Sequence, residues 1–421
     1  MGAIPAKRRV IIGLFTLGAF AAFGFRLLGY VEDFSQFVRR DDFNHYYGAA
    51  WLLVEQGNLY GVRFADTALA SHFDWNPKIP SATNPPFLVL VSIPLAWAEP
   101  FFSWLWFELL LFCCLVTTYV LSFRLLWPAH FWSLPILIGY IFFTSTASFF
   151  AVLELSQIQG VLLAAILIGW WCVRRGLVKS AAFFWALTVA VKFYTWPLLI
   201  LFLVWRKYAA ALVGFFTAIS FLALPALLFG FEIYQKFVSD ALPIITSHVD
   251  SMVRNYSLSA LIFQFVRVSS GGEPAVEWLD PAINLLLPTV VLLGLLSFVY
   301  LSRPFRELGS NGGRSVNPEL IDWPVAIFLP LSFLLSPVAW DHYLLSTFPA
   351  LLLAFRENIA STQRLIVLFF AWAVLFQFPH ASSTFSLFSQ GVHDALFRPL
   401  SWLAIGTIFL HALRSPADES R

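Results

Sequence analysis

FSWLWFELLLFCCLVTTYVLSFRLL, Phe102 to Leu126, decides the fold. Its only charged residues are Glu108 and Arg124, and a run of about 20 such residues is what a helix needs to cross a hydrocarbon core of about 30 Å. Runs of the same kind fill the chain. Of 421 residues, 59% are hydrophobic and 12% charged. A soluble protein carries about 25% charged residues. With a mean hydropathy of +0.76, the chain reads as an all-α polytopic membrane protein. Its three cysteines, Cys113, Cys114 and Cys172, lie inside apolar runs with no CxxC or Cys/His spacing. Plain buried thiols are expected, with no metal site, no disulfide framework and no cofactor. No phosphate-binding loop marks an ATP-driven pump, and no nucleic-acid partner is expected.

Charge placement predicts the topology. Lys7, Arg8 and Arg9 put the N-terminus in the cytoplasm, ahead of an uncleaved first helix. Further basic clusters fall at Val173–Lys179, Trp205–Lys207, Arg303–Arg314, Arg356–Arg364 and from Arg414 onward. If all are cytoplasmic, the apolar stretch between Lys179 and Arg206 must fold back as a hairpin. The break is expected at VKFYTWP, with Lys192 at its tip. The segment Phe87–Trp97 is short and reads as interfacial or re-entrant. Full spans are expected at 102–126 and 133–152. Later ones fall near 157–173, 181–191 with 197–205, 209–230, 283–302, 322–337, 341–355, 364–379 and 398–413. The total is about twelve, with both termini inside and residues 1–421 forming one membrane domain. The first extracytoplasmic loop covers about 30–86, with short interfacial helices, and the second about 231–281.

This topology gathers polar residues on the outer side. The first loop contributes Asp41, Asp42, Tyr46 and Asn84; the later segments add Glu154, Gln157, Lys192, Arg254, Asn255, Trp340, Asp341 and His342. A charge at membrane depth costs about 2.5–3.5 kcal/mol even on the mild scale, so Lys192 and Glu154 need partners, water or a task. Outside the cytoplasmic membrane, activated groups arrive on lipid phosphates. Moving a sugar from such a carrier needs a carboxylate base, which Asp41 or Asp42 supplies. It also needs cations for the departing phosphate, which Lys192, His342 and Arg254 supply.

The ordered stretches DFNHYYGAAWLLVEQGNLY (Asp42–Tyr60), NPPF (Asn84–Phe87), LELSQIQ (Leu153–Gln159), AVKFYTWPLL (Ala190–Leu199), NYSL (Asn255–Leu258) and SPVAWDHY (Ser336–Tyr343) resemble glycosyltransferase family 87. The resemblance implies a GT-C type helical bundle in the cell membrane, with its active site on the extracytoplasmic face. The implied reaction is inverting transfer of a hexose, with mannose expected, from a polyprenyl-phosphate sugar to a lipid or glycan acceptor. The family's base falls on Asp42, with Asp41 one residue away as the other choice. Its late histidine falls on His342 and its lysine on Lys192, both toward the donor phosphate. Tyr46, Asn84, Glu154, Gln157, Asn255, Trp340 and Asp341 are the candidate sugar and acceptor contacts. Asp341 either orients His342 or is solvated.

Structural readings stand beside these. DFNHYYGAAWLLVEQG also reads as an interfacial helix capped by Asp41 or Asp42, with Tyr46, Tyr47 and Trp51 among the headgroups. In these readings Asn84 simply precedes a helix begun by Pro86, Gln157 and Gln159 are interhelical glue, and Lys192 and Glu154 pair with each other. Glu108 has no assigned role. Two other functions fit the topology: a transporter or flippase for lipid-linked sugars, disfavoured by the lack of internal repeats, and a non-catalytic scaffold for envelope synthesis.

Overall fold

Among the described residues the chain folds as helices. A computed structural model describes residues 6–33, 41–57, 59–73, 81–126, 139, 143–247, 257–258, 289, 318–334, 336, 341–358, 361–376, 400–401 and 403–408. Among these there is no strand, and one isolated bridge pairs Arg63 with Ser81. Helix α1 (Ala6–Asp33) precedes α2 (Asp41–Gln56) and two 3-10 turns, Phe64–Asp66 and Ala68–Ser71. Then come α3 (Pro86–Ser92), extended by a 3-10 turn to Trp97, and α4 (Pro100–Leu126). The central helices are α5 (Ala147–Glu154), α6 (Gln159–Arg174), α7 (Val178–Val191), α8 (Pro197–Val204) and α9 (Tyr208–Phe229). Further on lie α10 (Pro318–Leu334), a 3-10 helix Asp341–Thr347, α11 (Phe348–Asn358) and α12 (Thr362–Phe376).

Helices α4 and α9 are long and apolar enough to cross a membrane. At 27 and 22 residues they measure about 40 and 33 Å. Helix α4 begins on Pro100, whose missing N–H costs nothing in a first turn, and is described through Leu126. Its inward face carries Trp104, Phe107, Glu108, Leu111, Leu115 and Tyr119, at helical spacing. Its outward face carries Phe102, Leu105, Trp106, Leu109, Phe112 and Val116, all exposed. The core helix of a soluble protein would be mostly buried, yet the apolar stretch of α9 is only 17% buried. Faces this apolar on the outside belong in lipid.

Lipid supplies no hydrophobic drive to bring helices together, so close packing does. Helices α6 and α7 meet where the Trp185 indole donates to the Ile166 carbonyl at 3.0 Å. That approach is open because residue 169 is glycine; a Cβ there would collide with the Trp185 ring. Trp185 also packs on Phe202 and Trp205, with ring centroids 5.0 and 6.3 Å apart. Residues on either side of VKFYTWP therefore meet, and α7 and α8 fold back on each other as expected. The turn between them is a 3-10 helix, Phe193–Thr195, and Pro197 opens α8.

Two sequence expectations change. The span 133–152 is not one helix: Thr146 breaks it, accepting from the Phe149 amide and capping α5. At eight residues, α5 is about 12 Å long, too short to cross. The span expected at 341–355 opens as a 3-10 helix, and α-helix starts only at Phe348, beside Pro349. Proline suits that first turn and constrains the residue before it. Nearly all of 283–302 and half of 398–413 lie outside the described residues.

At the far end of α6, Asp322 of α10 is fully buried. It accepts from Trp170 Nε1 at 3.0 Å and Arg174 Nε at 2.8 Å, and forms a second bond with Arg174 Nη2. Removing one member of a buried pair strands the other. Asp322→Ala should destabilise the protein by about 2–4 kcal/mol, at the discounted end of the buried-pair range because Arg174 keeps some solvent contact. The double change Asp322→Leu with Arg174→Leu should recover much of the loss. Thermal unfolding of the purified protein in detergent reads both.

Candidate active site

The stretch 43–50 of α2 is enclosed by protein. Residues 43–50 are all buried, Tyr46 and Tyr47 among them. The reading of this helix as a surface-lying interfacial element, with both tyrosines among lipid headgroups, is therefore corrected. Their rings pack in a cluster with Phe43, Phe87, Leu88, Trp104, Phe107, Ile158, Ala190 and Val191, and the Tyr47 hydroxyl donates to the Ala98 carbonyl at 3.0 Å. The described helix starts at Asp41, which puts Asp41 and Asp42 in its first described turn. His45 packs edge-on against Phe64 at 5.2 Å. Burial lowers its pKa to about 4, so it is neutral at pH 7 and adds no cation.

The second component is the LSQIQ turn between α5 and α6. Ser156 has φ +53°, uncommon for a residue with a side chain. Its hydroxyl donates to Glu108 Oε1 and accepts from Trp104 Nε1 at 3.2 Å. Both partners sit one turn apart on α4. Tyr30 of α1 reaches the other Glu108 oxygen at 3.4 Å. So anchored, the turn presents two glutamines. Gln157 Oε1 accepts from the Tyr46 hydroxyl at 3.2 Å and from Lys192 Nζ at 3.1 Å. Gln159 Oε1 accepts from Tyr194 at 2.6 Å, while its Nε2 donates to Ser346 at 2.9 Å.

The hairpin tip brings the third component. Lys192 ends α7 in extended conformation. Its ammonium donates to the Tyr343 hydroxyl at 3.0 Å and lies 4.7 Å from that ring's centroid. Tyr194 packs on the same ring at 5.1 Å, and His342 meets it edge-on at 4.5 Å. The Asp42 carboxylate is within electrostatic reach of Lys192, Tyr46 and Tyr343. Burial, and after it the charge of Asp42, holds the Tyr46 phenol well above its ordinary pKa, so it acts as a neutral donor.

Of the candidates from the sequence, Asp42, Tyr46, Gln157, Lys192 and His342 come together here. Lys192 is bonded to Gln157 and Tyr343 rather than to Glu154, which ends α5 half-buried. Asn84 makes no hydrogen bond to this group. Its carbonyl accepts from Tyr60 at 2.5 Å, and its buried Nδ2 has no hydrogen-bond partner. Arg254, Asn255 and Trp340 lie outside the described residues, as do the side chains of Asp41 and Asp341. Sequence reasoning missed Tyr343, Tyr194 and Gln159 as members of one network, and it gave Glu108 no role. The one available signal for Glu108 was a lone carboxylate midway along an apolar run.

Glu108→Ala should loosen the turn. The expected result is faster amide exchange at Ser156, Gln157 and Ile158 and a stability loss of about 1–3 kcal/mol. Glu108→Gln keeps an acceptor and should lose less, in the same exchange experiment.

No curated protein and no solved structure matches the chain. Residues 82–312 match the family model of Glycosyltransferase family 87. The matched interval carries α3 through α9, and with them Gln157, Gln159 and Lys192; Asp42, His342 and Tyr343 join them from beyond its two ends. Because the match takes in more than half of the chain, this protein belongs to Glycosyltransferase family 87.

Proposed function

We propose that this glycosyltransferase moves a hexose, with mannose the expected sugar, from a polyprenyl-phosphate donor to a lipid or glycan acceptor. The reaction takes place on the extracytoplasmic side and inverts the anomeric centre. The observation that carries the reading is the environment of Lys192. Its ammonium is half-buried and held by neutral groups, the Gln157 carbonyl oxygen and the Tyr343 phenol. Among the described residues it makes no direct ion pair, although Asp42 is within electrostatic reach. A cation held this way at membrane depth lacks a contacting anion, and a donor phosphate supplies one.

In this scheme the Asp42 carboxylate takes the proton of the acceptor hydroxyl. That oxygen forms the new bond to the anomeric carbon from the face opposite the phosphate. The bond from that carbon to the phosphate oxygen breaks, and polyprenyl phosphate leaves with the electron pair. Lys192, with His342 behind Tyr343 and Arg254, stabilises the charge that grows on the leaving oxygen. Phosphate is already a good leaving group, so charge stabilisation matters more than a proton donor. Tyr46, Gln157, Asn84, Glu154, Asn255, Trp340 and Asp341 are proposed to position sugar and acceptor. The buried, unbonded Nδ2 of Asn84 supports its inclusion.

The test is transfer from radiolabelled polyprenyl-phosphate mannose to membrane lipid extract, by the full chain in nanodiscs. Asp42→Asn should lower kcat at least ~100-fold with donor binding retained, the usual worth of a general base. Lys192→Gln and His342→Ala should weaken donor binding and lower kcat/KM, by about 100-fold for Lys192. Asp41→Asn should stay near wild type; if it is the inactive variant, the base is Asp41. Product from a different polyprenyl-phosphate sugar, and none from the mannose donor, would overturn the choice of sugar.

A further inference from the structure

A groove of about 640 Å³ opens between α4 and α6 at the end opposite Lys192. Its walls are Leu121, Leu125, Ile168 and Trp171, with Arg124, Arg174 and Arg175 at the rim. The two helices run side by side. Glu108 meets Ser156 near one end, and Arg124 and Arg174 line the groove at the other. From Glu108 to Arg124 the helix rises about 24 Å, most of the thickness of a hydrocarbon core. The groove and the Lys192 cluster therefore sit toward opposite membrane faces.

The rim charges are unequal. Arg174 is committed to Asp322. Arg356 is bonded to Glu357 and to the Leu126 carbonyl. Among the described residues at the rim, that leaves two exposed guanidiniums. Arg175 lies over the Trp171 ring at 5.0 Å, and among the described residues neither it nor Arg124 forms an ion pair. Two uncompensated guanidiniums above an apolar trough, flanked by a tryptophan, complement a phosphate head with acyl chains below it. The volume lies within the ~300–1,000 Å³ of small-molecule sites.

We infer that the α4–α6 groove binds an acidic glycerophospholipid, its phosphate between Arg124 and Arg175 and its acyl chains along Leu121, Leu125 and Ile168. The site is separate from the proposed donor site.

The test is native mass spectrometry of the full chain in detergent, titrated with phosphatidylglycerol, phosphatidylcholine or inorganic phosphate. Wild type should retain phosphatidylglycerol over phosphatidylcholine. Each of Arg124→Gln and Arg175→Gln should weaken that retention about fivefold, and the double variant about 25-fold, from the usual gain per basic residue at an anionic surface. Neither guanidinium is hydrogen-bonded among the described residues, so unfolding temperature in lipid-free detergent should not move. If the double variant fails to fold, the single Arg124→Gln variant decides the matter alone. Equal retention of phosphatidylglycerol by wild type and variants would overturn the inference. So would displacement of the lipid by inorganic phosphate at equal concentration, which would make the groove a free-anion site.

Discussion

The Glu108 carboxylate accepts a hydrogen bond from the Ser156 hydroxyl across the contact of α4 with the α5–α6 turn. Through that bond the turn keeps a left-handed residue that lacks the freedom of glycine. The same turn aims Gln157 and Gln159 at three other segments: α2 through Tyr46, the hairpin tip through Lys192 and Tyr194, and the 3-10 helix through Ser346. Each of those bonds depends on the direction in which the turn points. A carboxylate in an apolar helix is costly, and here its oxygens are occupied by Ser156 and Tyr30. The cost is met by order in the part of the protein where order matters for chemistry.

The middle of the bundle is held differently. Large aromatic side chains and close approaches at small residues fill the space between α4, α6, α7 and α8. The polar interactions sit toward the ends, Glu108 with Ser156 at one and Asp322 with Arg174 and Trp170 at the other. In lipid, a polar group that is not bonded inside the protein has nowhere else to turn. Directional bonds therefore define how the helices register, and dispersion fills the rest.

The hairpin tip shows how chain breakage makes a site. A continuous helix through VKFYTWP would point Lys192 along its own surface. The turn instead leaves Lys192 extended, outside the helical ladder, and free to reach Gln157 and Tyr343. Pro197 then restarts the helix in the one place where it lacks nothing by having no N–H.

Composition and the long apolar runs of α4 and α9 determined by themselves that this is a helical membrane protein. The basic clusters around Lys179 and Arg206 required a fold-back, and the ordered motifs carried the family. These properties were legible because they depend on local pattern: hydropathy over a helix length, a proline that ends a ladder, the order of short motifs along the chain. What only the tertiary structure decided is the company each polar residue keeps. Tyr46, a candidate sugar contact that also suited a headgroup position, is buried in protein together with Tyr47; Lys192, a candidate for the donor phosphate or else a partner of Glu154, binds Gln157 and Tyr343. Glu108, marked in the sequence only as a lone carboxylate in an apolar run, holds the turn that presents the site. The bonds that answer these questions join residues from 35 to 187 positions apart. No periodicity along the chain encodes such a distance, because it is created when the helices pack.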